Sequence, residues 1–289
     1  MDCPFVARFQ GVSPMKDIVV HLDGGPEEAS RLSYAGLLAT TFGAHLTGLF
    51  TSALPDIGLL ASPDSAVAAA ALFAELETEI RVRATDQAPR MASSLDALAQ
   101  TSDLVRIDAR MEDIVRDSLT TLRCSDLFIA TSPYRSGVGA LWDPLIEAAL
   151  FGSGRGTLLV PPGRRAPDVL RGVLIAWRDT REAARAVAEA MPLITRASKV
   201  DVVLVDAEPD ATASDLARYL DRHGATVTVE VVASDGRSVA DAILTEARRL
   251  SSDLIVMGGY GHLRLREWVM GGTTLDVIQA STVPLLIAH

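Results

Sequence analysis

Ser251-Ser252-Asp253-Leu254-Ile255-Val256-Met257 leads straight into Gly258-Gly259-Tyr260-Gly261. The apolar run does not alternate with polar residues. That pattern indicates a strand buried on both faces, hence a parallel sheet with helices above and below it. The glycines then mark a loop at the carboxyl end of the strand. The same run occurs earlier as Cys124-Ser125-Asp126-Leu127-Phe128-Ile129-Ala130, where the loop is instead Thr131-Ser132-Pro133-Tyr134-Arg135.

Working outward, the rest of the chain repeats as well. Lys16-Asp17-Ile18-Val19-Val20-His21-Leu22-Asp23 precedes a helical pattern from Glu27 to Phe42, and Arg171-Gly172-Val173-Leu174-Ile175-Ala176-Trp177 precedes one from Arg181 to Arg196. Strand-like runs follow at His45 to Thr51 and Lys199 to Asp206, and the halves close with Thr157 to Pro161 and Val283 to Ile287. Corresponding points lie roughly 125 to 155 residues apart, a domain-sized period rather than that of a solenoid. Strands alternating with helices give βαβ units, and right-handed crossovers wind each half into a layered sandwich. The expected fold is α/β, with two tandem doubly wound, Rossmann-like parallel-sheet domains. They are expected at residues 15–160 and 171–289, joined by a linker at 161–170 and preceded by a disordered extension at 1–14. The linker begins Pro161-Pro162-Gly163-Arg164-Arg165-Ala166-Pro167, poor material for helix or strand.

Composition narrows the function classes. At 289 residues the chain is long enough for about two domains. Hydrophobic residues make up 48% and charged residues 22%, which excludes a largely disordered chain. A net charge of -10 repels a phosphate backbone, so nucleic acid is not expected as a partner. The longest apolar stretches, such as Ala66 to Ala74, fall far short of a membrane helix, and no secretory signal is readable. Cys3 and Cys124 cannot define a disulfide framework, and reduced thiols in a cytoplasmic protein are expected. Cys124 itself reads as a core thiol at the end of the helix Glu112 to Arg123.

One insertion distinguishes the halves. Asp64 to Ala99 is an Ala-rich tract in which Val67, Ala71, Leu72, Leu76 and Ile80 recur at helical spacing between Glu75, Glu77, Glu79 and Arg81. It reads as an amphipathic helix covering the sheet; a lid or partner helix is the alternative. The second half has only Ala213 to Arg222 at that place.

The chemistry is expected beyond the carboxyl ends of the strands. After Gly258-Gly259-Tyr260-Gly261, nine residues lead to Gly271-Gly272-Thr273-Thr274 and a helix at Leu275 to Ala280. Glycines let a backbone approach a phosphate, and free N–H groups in a helix's first turn point at the same spot. Thr273 and Thr274 add hydroxyls that can cap those groups or donate to phosphate oxygens. His262, Arg264 and Arg266 supply cations. The plainer reading is that the glycines only form tight turns.

Gly258-x2-Gly261-x9-Gly271, with Leu265-Arg266-Glu267-Trp268 and Val283-Pro284-Leu285-Leu286, resembles the nucleotide-binding signature of the universal stress protein family, G-x2-G-x9-G-[S/T]. The resemblance covers roughly Met15 to His289 as a tandem. It implies a site for ATP, with Mg²⁺ on the phosphates, formed by Gly258, Gly261, Gly271, Gly272, Thr273 and Thr274. To these it adds Ala176, Trp177, Arg178, Asp179 and Val205 at the ends of neighbouring strands. It further implies a regulator of stress survival rather than an enzyme, and a homodimer whose two halves form an internal pseudo-dimer through their final strands. Two departures stand out. Gly272 replaces the family's Ser or Thr, and Arg178 stands where the family has an acid, with Asp179 one place later. The first half keeps that acid as Asp23 but lacks the glycine loop. A scaffold with vestigial sites and a slow nucleotide hydrolase are the rival readings.

Other features carry less. Gly152-Ser153-Gly154-Arg155-Gly156 precedes a strand, at the wrong end of the sheet for a phosphate loop. There is no G-x4-G-K-[S/T], no nucleophile elbow, and no spacing among His21, His45, His223, His262 and His289 that would ligate zinc. No catalytic residue or protein metal site is expected. His21, inside a strand, is expected to be buried and hydrogen-bonded. Asp23 and Asp179 lack a partner base.

Overall fold

The computed structural model describes residues 15–56, 66–99, 101–134, 140–207, 211–259 and 272–289. The first half runs β1 (Asp17–Leu22), α1 (Glu28–Phe42), β2 (His45–Ala53), α2 (Ala66–Asp96), β3 (Ser102–Ala109), α3 (Met111–Arg123), β4 (Leu127–Thr131), a 3-10 turn (Ala140–Trp142), α4 (Asp143–Gly152) and β5 (Gly156–Val160). The second runs β6 (Gly172–Ala176), α5 (Arg181–Ile194), β7 (Lys199–Val205), α6 (Ala211–Arg222), β8 (Val227–Val232), α7 (Val239–Arg249), β9 (Leu254–Gly258), α8 (Gly272–Ala280) and β10 (Leu285–Ala288).

Among the described residues, the ten strands form one sheet, in the order β3-β2-β1-β4-β5-β10-β9-β6-β7-β8. Each half is a parallel, doubly wound sheet, and helices cover both faces. Two buried clusters lie on opposite sides of it, one under α1, α5 and α6 and the other under α3, α4, α7 and α8. The halves meet through β5 and β10, which pair antiparallel with Leu159 opposite Leu285 and Leu158 opposite Leu286. All four leucines are essentially inaccessible, and burying one such side chain contributes about 1.5–3 kcal/mol. Beside the seam, the Gly156 N–H donates to Glu189 on α5 at 3.2 Å, and Arg185 donates to the Gly154 carbonyl. The chain between β5 and β6 lies against α1: Gly163 N–H donates to Glu27 at 2.6 Å and Ala166 N–H to Ser33 at 2.9 Å.

Local chemistry accounts for the element ends. Gly43 closes α1 in the left-handed region (φ 57) and turns the chain directly into β2, a conformation that favours glycine because it has no Cβ. Thr180 and Ser238 start α5 and α7 as side-chain caps that accept from Ala183 and Asp241 N–H.

Three expectations change. The continuous apolar pattern holds for inner strands but not for β3 and β8, whose partly exposed residues reflect their place at the two open edges. Long α2 does pack on β2 and β3, but through Ala84, Met91 and Leu95, while Ala71, Leu72 and Leu76 are exposed and Ile80 is half-buried. The side chain of Val67 lies outside the described residues. Several faces of this Ala-rich helix could have served as its apolar stripe, and the sheet beneath selects one. Cys124 is exposed rather than buried, because it follows α3 where the chain turns at the surface. Residues 1–14, expected to be a disordered extension, lie outside the described residues.

Candidate functional site

In the second half the strand connections diverge between β6 and β9, since β6 continues to β7 on one side and β9 to β10 on the other. That divergence opens the crevice where open α/β sheets bind ligands. Ala176 ends β6 opposite Met257 of β9. Ala176 and Trp177 are half-buried, whereas Arg178 and Asp179 are exposed. The turn is tight: Thr180 N–H donates to the Arg178 carbonyl at 2.7 Å. The Trp177 backbone N–H donates to Val203, but its indole Nε1 is buried with no hydrogen-bond partner among the described residues. Such a group is costly to leave unmatched. Val205 ends the adjacent strand β7 and is half-buried.

Gly258 ends β9 against the first turn of α5. A Cβ there would lie 2.5 Å from the Ala183 nitrogen and 2.7 Å from the Glu182 carbonyl carbon. Its missing side chain therefore makes room for the α5 backbone. Gly259 donates to Ala288 at 2.9 Å, and its carbonyl accepts from His289 Nδ1 at 3.0 Å. Gly261 and Gly271, with His262, Arg264 and Arg266, lie outside the described residues.

Because β9 and β10 are parallel, the connecting helix α8 runs back against them, and its amino end lies at the carboxyl end of β9. The helix begins at Gly272 rather than Leu275. Thr273 and Thr274 are thus first-turn residues, not the preceding cap. The N–H groups of that turn have no partner within the helix. A Cβ on Gly272 would meet only Asp276 Oδ2, at 3.6 Å, so the approach there is open among the described residues. Among those residues no group of three or more His, Cys, Asp or Glu side chains is placed to hold a metal ion.

The equivalent crevice of the first half, between β1 and β4, is built differently. Arg31 of α1 is 2% exposed and reaches under the strand ends. It donates through Nε to the His21 carbonyl at 2.6 Å, through Nη1 to Thr131 Oγ1 at 2.7 Å and through Nη2 to Asp23 Oδ1 at 2.5 Å. Burial raises the Asp23 carboxyl, but the charge of Arg31, its hydrogen bond and that of Gly25 outweigh it and hold the group below its ordinary value. Burial, seconded by Arg31, lowers His21 to about 3, so the ring is neutral. It shares a 2.7 Å hydrogen bond with Thr51 Oγ1 and stands edge-on to Trp142. The acid kept at Asp23 is thus occupied by an internal cation.

Arg31, Ser132 and Trp142 are not among the residues that the sequence alone singles out. For Arg31 a signal exists: it shares a helical stripe with Tyr34, Ala35 and Leu38, all buried, and an arginine in such a stripe calls for a buried anion. Nothing in the sequence marks Ser132 or Trp142.

Residues 171–289 match the family model of the universal stress protein family. The second half is a universal stress protein domain. Across the whole chain, the structure is similar to a universal stress protein from Archaeoglobus fulgidus DSM 4304, at 17% identity and a TM-score of 0.70, covering 94% of this chain and 96% of that one. It is also similar to a Pseudomonas aeruginosa UCBPP-PA14 protein described as a universal stress protein, at 16% identity and a TM-score of 0.57, covering 96% and 95%. At these identities the likeness shows the fold, including that of the first half. No curated protein matches the chain. Among the described residues no helix is long and apolar enough to cross a membrane.

Proposed function

We propose that the universal stress protein domain binds an adenine nucleotide, ATP, at the β6/β9 crevice, and that the chain acts as a nucleotide-dependent regulator in the stress response. One observation carries the reading: the strand connections diverge at the same end of the sheet where α8 opens on Gly272-Thr273-Thr274. First-turn N–H groups and the helix dipole favour an anion there. Exposed Arg178 adds a cation at the end of β6, and the unmatched Trp177 indole N–H is a donor that a bound ligand would satisfy. The signature's Gly261 and Gly271, which lie outside the described residues, would contribute to the phosphate loop, and any Mg²⁺ would ride on the phosphates. The half-buried ends of β6 and β7, at Ala176 and Val205, would flank the nucleoside. In this reading the protein works in the cytoplasm as a homodimer, and the first half does not bind nucleotide.

The test is twofold. Mass spectrometry of small molecules released by denaturing the purified chain should find ATP. Calorimetric titration of the stripped protein should show one ATP site per chain. Two equivalent sites would refute the asymmetry, and no binding at all would favour the scaffold reading.

A further inference from the structure

The first-half crevice holds a partly open cavity of about 150 Å³. Engineered protein cavities of about this volume accept benzene, and a nucleotide is several times larger. Trp142, Pro26, Pro133 and Ile146 give it apolar walls. Its polar lining is unusual in two respects. Ser132 is 1% exposed and its Oγ has no hydrogen-bond partner among the described residues. Arg31 uses three of its N–H groups on His21, Thr131 and Asp23, while a guanidinium has five. Buried donors left over in this way select a ligand that brings an acceptor.

Charge selects further. Asp23 balances Arg31, and His21 is neutral at ordinary pH. Glu27, the remaining ionisable group among the described lining residues, accepts from Gly163 N–H across the chain. The net charge of the described lining is therefore negative, which disfavours a carboxylate or phosphate. An ammonium would meet the unused N–H groups of Arg31 with no acceptor to offer them. We propose that this cavity binds a small uncharged molecule, about the size of a benzene ring, that presents a hydrogen-bond acceptor to Ser132 and Arg31. The first half is then a ligand-binding module of its own, with a specificity unlike that of a phosphate site. This does not depend on the second half binding ATP.

Benzamide serves as the probe, with benzoate and benzylamine as charged counterparts of similar shape. Saturation-transfer NMR and calorimetry on the full chain should show saturable benzamide binding, with both charged analogues much weaker and with excess ATP leaving it unchanged. Ile146→Trp, which fills the cavity, should abolish binding. Ser132→Ala, a small change that keeps the fold, should weaken it about three- to tenfold, the loss of one hydrogen bond. Absence of saturable benzamide binding would overturn the proposal. So would benzoate or benzylamine binding as tightly, displacement by ATP, or undiminished affinity in Ser132→Ala.

Discussion

Gly258 and Ala183 approach so closely that a Cβ on the glycine would stand 2.5 Å from the Ala183 backbone nitrogen. The contact fixes the start of α5 to the end of β9 across the candidate crevice. It assigns the first glycine of the signature a packing role, alongside the loop chemistry expected of Gly261 and Gly271.

Gly258→Ala should therefore destabilise the fold, by about 1–3 kcal/mol, because neither the strand nor the α5 backbone can yield without strain. Urea unfolding would show a lower midpoint at unchanged slope. A wild-type midpoint would mean that α5 moves aside freely.

Gly261→Val should remove ATP binding while leaving thermal stability near that of the wild type. A branched Cβ blocks backbone approach to a phosphate and opposes the turn that glycine permits. Calorimetry with ATP decides; retained affinity would place the phosphates elsewhere.

Arg178→Asp should lower the affinity for ATP relative to AMP. Arg178 is exposed at the end of β6, and its charge contributes most to the more heavily phosphorylated ligand. The ATP-to-AMP affinity ratio is the quantity to compare, and an unchanged ratio would show that Arg178 faces solvent only.

His21 makes stability pH-dependent. Its pKa in the fold is lowered to about 3, below that of about 6.5 in an unfolded chain. Between these values the unfolded state binds more protons, so stability falls as pH falls, by at most about 1.4 kcal/mol per unit. Asp23 adds to the loss in more acidic solution, since its folded pKa is also lowered. Chemical unfolding of the wild type and His21→Gln from pH 7 to 4 should give a shallower decline in the variant. Parallel curves would mean that His21 is not buried neutral.

Residues 171–289 expressed alone should self-associate or lose solubility. Removing the first half uncovers β10, whose antiparallel bonds to β5 leave unpaired strand groups behind. Sedimentation of the isolated half, and of an equimolar mixture with residues 15–167, tests this. Soluble monomers with no mutual affinity would show that the seam does not hold the chain together.

Element by element, the sequence alone determined the inner strands, because residues such as Leu254 to Met257 are apolar without alternation and only a covered parallel sheet buries both faces. It determined the repeat, and with it two doubly wound halves, because helix and strand periodicities are local properties. It also marked Gly272, Thr273 and Thr274 as the start of a helix, though Thr273 and Thr274 proved to lie inside its first turn. What tertiary structure decided are relations between residues distant in the chain. The edge positions of β3 and β8, the face that α2 buries, and the antiparallel seam of Leu158 and Leu159 with Leu286 and Leu285 all depend on which surfaces meet. The same holds for the site. Asp23 is paired with buried Arg31, and Gly258, the first glycine of the signature, packs against the start of α5; neither neighbour is legible in the sequence. A residue's type fixes what its side chain can do. The neighbours that folding brings to it, through burial and charge, determine which of those capacities remains free.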